Sequence, residues 1–185
     1  MDLKSEILYE HSRRQVEKIA RWIGADKRRF RELMELFLHG EYRVTQRAAW
    51  IINKCAEKHP RFISPWLKQM IAKSEELGVH IAVKRNVLRI LEGIDIPKSL
   101  LGTVVSRCFD YLASDDEAIA VRVYAMEIIL HAAQEEPDLR KELQASIEQM
   151  LIRAGPAIRA RARRVLKRLD KLQSPNPPRL RDKIS

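Results

Sequence analysis

The feature that most constrains this chain is one pattern of residues that returns five times at nearly constant spacing. It reads apolar, basic, two free positions, apolar, two free positions, an apolar pair, two free positions, apolar. Val121, Arg122, Ala125, Ile128, Ile129 and Ala132 carry it. Val83, Lys84, Val87, Ile90, Leu91 and Ile94 repeat it, as do Ile158, Arg159, Ala162, Val165, Leu166 and Leu169. Val44, Ala48, Ile51, Ile52 and Cys55 follow it with Thr45 in the basic place. Arg13, Val16, Ile19, Ala20 and Ile23 follow it with Ser12 in the first apolar place. Apolar residues three and four apart line one stripe of an α-helix. The central residues, at 16, 48, 87, 125 and 162, lie 32, 39, 38 and 37 apart. A period near 38 accommodates two helices and their turns, which is the signature of an α-solenoid.

The helix signals between these stripes agree. A first helix is expected over residues 5–23, stopped by Gly24, and a second from the Asp26 cap to His39, stopped by Gly40. A third covers 43–58, and Ser64-Pro65 opens a fourth that ends before Gly78. The fifth covers 80–92 and the sixth 97–113; Asp115 and Asp116 are expected to cap the seventh, to 133. The eighth starts at Pro137 and stops at Gly155, and the ninth covers 156–172. Short connections make neighbouring helices antiparallel. The expectation is an all-α, right-handed α-solenoid of about four hairpins plus a closing helix over residues 1–172. Residues 173–185, with Ser174-Pro175-Asn176-Pro177-Pro178-Arg179, read as a basic, Pro-rich mobile tail. Only six glycines in 185 residues argue against a sheet protein and against a glycine-rich phosphate loop. The longest stretch without a charged residue, 99–106, is too short to span a bilayer. The charged N-terminus carries no signal-peptide core, so a cytoplasmic chain with no membrane partner is expected.

The segment Ser114-Asp115-Asp116-Glu117-Ala118-Ile119-Ala120-Val121-Arg122 resembles the turn of HEAT repeats, in the armadillo-type superfamily. An acidic turn leads into a Val-Arg helix, and the resemblance extends over residues 5–172. It implies that the Val-Arg helices line the inner, concave surface of the solenoid.

No motif for catalysis is present. His11, His39, His59, His80 and His131 show no metal-ligand spacing, and Cys55 and Cys108 fall on apolar faces as inert thiols. The runs Asp115-Asp116-Glu117 and Glu135-Glu136-Pro137-Asp138 suit helix starts better than acid–base chemistry. No metal and no cofactor are expected.

The informative face lies opposite the apolar stripe. At 100° per residue, Trp50 points about 200° from Ala48, in a row with Lys18, Arg89, Glu127 and Arg164. Adjacent rows hold Arg14, Gln46 and Arg85, and Trp22, Lys54 and Arg168. With Arg43 and Arg47, the first three repeats present Arg14, Lys18, Trp22, Arg43, Arg47, Trp50, Lys54, Arg85 and Arg89 as candidate binding residues. Cations interleaved with aromatics suit a phosphate backbone or an acidic peptide; packing of either Trp between repeats explains them equally. Net charge is +10, and the last 33 residues carry +9 beside an acidic segment, 116–152, of −5. Arg161, Arg164, Lys167 and Arg168 therefore form a second candidate basic patch, unless they serve as the solvated face of a terminal helix.

Three readings follow. The leading one is a non-enzymatic HEAT-like scaffold or adaptor that binds a partner protein on its concave surface. The alternative is nucleic-acid binding through the basic concave rows and the last helix. The third is an enzyme similar to the HEAT-like alkylpurine DNA glycosylases, for which Glu127 and Glu92 are the acids nearest those rows.

Overall fold

The computed structural model describes residues 1–173, and among them every regular element is helical. They sort into two units, Met1–Leu100 and a second from Leu101 onward, each described separately. The expected tail lies outside the described residues from 174 on, while Gln173 closes the last helix.

The first unit opens with two helices where the sequence predicts one. Helix α1 spans Leu3–Tyr9 and α2 spans Arg13–Ile23. Glu10 is extended, and the Ser12 hydroxyl accepts from the Gln15 amide at 3.2 Å, which restarts the chain as a capped helix. Gly24, at φ 51°, ends α2. The Asp26 carboxylate accepts from the amides of Arg28 and Arg29 and caps α3, Lys27–His39, as the sequence predicts. At Gly40 a side chain would collide with the Leu36 carbonyl and with Val44, so only glycine allows the turn into α4, Tyr42–Ala56.

The fourth expected helix is much shorter than predicted. Pro60 and Pro65 sit in successive 3₁₀ turns, Pro60–Phe62 and Ser64–Trp66, and α5 covers only Leu67–Ser74. Each proline lacks an amide donor, so regular α-helical bonding starts only beyond both. Helix α6, Ile81–Glu92, is capped by the His80 ring, whose Nδ1 accepts from the Ala82 amide at 3.0 Å.

Helix α4 packs against α2, α3 and α6. Val16, Ala48 and Val87, the centres of the repeated pattern, are all buried, together with Ile19, Ile51, Ile52 and Leu91. Buried Asn53 on α4 donates to the Asn86 carbonyl of α6 at 3.3 Å, so the polar group enters the core satisfied.

Helix α7, Lys98–Ala113, leads into the second unit, where α8 (Ile119–Glu135), α9 (Asp138–Leu151) and α10 (Pro156–Gln173) pack on one another. Ala125 and Ala162 are fully buried, as the pattern requires. Helix α8 is buried around most of its circumference, whereas α10 buries one stripe, Ile158, Ala162, Val165 and Leu169. Arg140 of α9 donates to the carbonyls of Ala133 and Leu172, both at 2.9 Å, and so fastens the C-terminal ends of α8 and α10.

The basic place in the pattern has a structural task. Thr45 Oγ1 donates to the Gly40 carbonyl, Arg122 Nη2 to that of Leu112 and Arg159 Nε to that of Ala154. Thr45 and Arg159 reach back to the connection before their own helix, and Arg122 reaches the last turn of α7. Asp115 and Asp116 do not cap α8, which starts at Ile119 behind Ala118 and has no side-chain cap. The Asp115 carboxylate instead lies 2.8 Å from Arg153 and 3.6 Å from Arg122. Four residues ahead of the first helical position, it cannot reach the free amides of the first turn.

Candidate interaction surface

Helices α2, α4 and α6 each bury one stripe and turn the opposite side outward. Most of the residues that the sequence singles out there have local partners. Lys18 Nζ lies 2.8 Å from Glu6 Oε2, and Gln15 donates to the same oxygen at 2.7 Å. These contacts, the lysine first, hold the Glu6 carboxyl below its ordinary pKa. Lys54 and Arg89 share Glu57, at 2.5 and 3.4 Å. Arg47 donates through Nη1 to the carbonyls of Ile7 and Leu8, at 3.1 and 2.8 Å, and thereby satisfies the end of α1.

The two tryptophans differ. Trp22 is covered by the Arg29 guanidinium, 4.4 Å from the ring centroid, and its carbonyl accepts from the same side chain. Trp50 is half-buried, with the His11 ring 5.5 Å away. Burial and the nearby Arg47 charge push the His11 pKa down. A second ring pair, Tyr42 and His80 at 5.3 Å, lies at the starts of α4 and α6.

Arg14, Arg43 and Arg85 remain. All three are exposed, and among the described residues they enter no ion pair or hydrogen bond from their side chains. They lie between about 160° and 220° from the buried stripe, in the N-terminal parts of three helices packed side by side. The outward face is thus divided. In its C-terminal part Glu57 pairs with both Lys54 and Arg89, and its N-terminal part holds three unpaired cations and two ring pairs. Sequence reasoning missed His11, Tyr42 and His80. Tyr42 could have been found as the aromatic residue directly before Arg43, but the ring pairings depend on contacts between helices.

The second candidate patch is partly internal. Glu127 is 3% exposed, and its oxygens lie 3.0 Å from Arg161 Nε and 2.5 Å from Arg168 Nη1. A buried carboxylate is tolerable only when paired, and two cations from α10 do this. Arg164 and Lys167 stay exposed, without an ion pair among the described residues.

The chemical options are narrow. Of the two acids named for a glycosylase-like reading, Glu127 has both oxygens occupied by guanidinia, and Glu92 is half-buried at the end of α6. Cys55 and Cys108 are buried, and burial pushes both thiols up to about 12. A shallow groove beside the start of α10 is lined by Ala154, Pro156, Arg159, Ala160 and Arg163, with no carboxylate, thiol or imidazole in its wall. Among the described residues, no three His, Cys, Asp or Glu side chains converge as metal ligands, and no helix is long and apolar enough to cross a membrane.

The family model for a HEAT repeat domain matches residues 3–169. The chain belongs to the HEAT repeat domain family. No curated protein and no solved structure matches it. HEAT repeats are helical-repeat scaffolds that commonly mediate protein interactions and are typically non-enzymatic. In this HEAT repeat chain the five repeated stripes are the buried sides of α2, α4 and α6 in the first unit and of α8 and α10 in the second.

Proposed function

We propose that this HEAT repeat chain is a non-enzymatic adaptor that binds a partner protein on the outward face of α2, α4 and α6. The observation that carries this is the set Arg14, Arg43 and Arg85, exposed and unpaired on the face that also holds the half-buried Trp50. Paired surface cations offer a partner little, because binding must first break the existing pair. Unpaired cations next to an aromatic ring supply both steering charge and an apolar anchor.

A protein suits this face better than a nucleic acid. Phosphate backbones are held by a run of cations, and affinity grows with the number neutralised. Here Glu6, Glu17 and Glu57 pair with Lys18, Arg13 and Lys54, so the basic residues do not form the continuous run of free cations that a phosphate backbone uses.

Site-specific photo-crosslinking tests the reading. A photoreactive residue at Gln46, on this face, should give a discrete adduct in cells that protease removes and nuclease does not. The same residue at exposed Lys68, on α5, should give none. Adducts at both positions, or a nuclease-sensitive adduct at Gln46, would overturn the proposal.

A further inference from the structure

We infer that the outward face of α10 is a separate site that holds the backbone of double-stranded nucleic acid without reading its sequence. The inference concerns the second unit alone and does not rest on the adaptor reading. At about 100° per residue, Arg163, Arg164, Lys167 and Lys171 all point within about 50° of the direction opposite the buried stripe of α10. All four are exposed, and among the described residues none enters an ion pair or a hydrogen bond from its side chain. Arg163, Lys167 and Lys171 follow one another four residues apart, so a rise of about 1.5 Å per residue spaces them by about 6 Å. Asp170, the only acid in α10, stands about 70° from the centre of that face and is itself engaged. Towards the start of the helix the row runs into the shallow groove, where Arg159 adds a further charge.

Solubility alone does not account for this face. A terminal helix needs a polar outer side, but charges of either sign provide one. Helix α9, in the same hairpin, carries 2 basic and 3 acidic residues, whereas α10 carries 7 and 1. Like charges four residues apart weaken a helix, and Arg163, Lys167 and Lys171 form two such pairs in succession. A bound polyanion removes that repulsion. Phosphate backbones are held by a run of free cations, which the face of the first unit lacks and this face has. No aromatic residue follows Tyr124, so α10 has no ring on which an unpaired base could stack, and a duplex suits it better than a single strand. The uncharged side chains on this face, Pro156 and Ala160, give a bilayer no large apolar anchor. Contacts to phosphates carry no sequence information, so the binding is general.

The test titrates a short labelled DNA duplex with the full chain and follows fluorescence anisotropy at several salt concentrations. Four neutralised phosphates give a log–log slope of about −3.6, so affinity should fall about fiftyfold when the salt is tripled. A duplex of scrambled sequence should bind equally well. The variant Arg163→Ala, Lys167→Ala, Lys171→Ala should bind more weakly and lose only about threefold on the same change of salt. The charge-matched variant Arg31→Ala, Arg61→Ala, Lys68→Ala, at exposed positions of the first unit, should keep the full slope. Alanine favours helix at solvent-facing positions, so α10 should stay folded. If circular dichroism shows otherwise, Lys167→Gln alone should flatten the slope by about one unit. Absence of saturable binding at the lowest salt would overturn the inference, as would equal effects of the two triple variants. Tighter binding of a deoxythymidine oligonucleotide or a glutamate peptide with the same number of charges would also overturn it. So would binding to phosphatidylserine vesicles without binding to the duplex.

Discussion

Ile128 on α8 is 2% exposed and lies one turn from Ala125, a centre of the repeated pattern. Ile128→Ala removes buried methyl and methylene groups and leaves a cavity, so it should cost about 2–5 kcal/mol. Urea unfolding measures this, and a loss below about 1 kcal/mol would mean that the stripe is not packed as described. His11 makes a different prediction. Its pKa is lowered by burial first and by Arg47 second, so the unfolded chain binds this proton more readily than the folded one. Its contribution to stability is present above the ordinary histidine pKa and fades as pH falls through the lowered value. Because His11 is largely exposed, the clearer readout is the ring itself. In an NMR titration its midpoint should lie below the ordinary histidine value, and Arg47→Gln should move it upward. An unmoved midpoint would remove Arg47 from the explanation.

At the scale of elements, α10 is fastened to its unit by charge as well as by its apolar stripe. Glu127→Gln keeps the shape but leaves the Arg161 and Arg168 guanidinia without a counter-ion, and should destabilise by about 1–3 kcal/mol. Arg140→Met should cost a similar amount, about 1–3 kcal/mol, since the carbonyls of Ala133 and Leu172 lose their donor. Both are measured by urea unfolding, and wild-type midpoints would show that the stripe alone holds α10. These elements also show what the sequence could reveal. The centres at 16, 48, 87, 125 and 162 were legible because helical periodicity depends only on neighbours within two turns. The break between α1 and α2 was not, since Ser12 falls on an apolar place of the pattern and its role as a cap depends on where the chain bends. Asp115 has the local context of a cap, while its partner Arg153 lies 38 residues away. Lys18, Lys54, Arg89 and Arg168 each looked like free cations, because their carboxylates come from other helices or helix ends. Periodicity therefore located the face, and only the fold separated its paired cations from Arg14, Arg43 and Arg85.

Across the whole molecule, protection should be uneven. Helix α8 is buried on most sides, whereas α1 is seven residues long and α5 is eight residues long behind two 3₁₀ turns. Amides open at a free energy that follows local burial, so hydrogen exchange should be slowest in α8 and faster in α1 and α5. Uniform exchange by mass spectrometry would contradict this. The two buried thiols have a practical consequence. Cys55 lies in the first unit and Cys108 in the second, and no other cysteine is present in the chain. Protonated and enclosed, neither sulfur reacts with an alkylating reagent until its surroundings come apart. A brief pulse of iodoacetamide at increasing urea, followed by peptide mapping, would therefore record the two openings on separate clocks, without any engineered label.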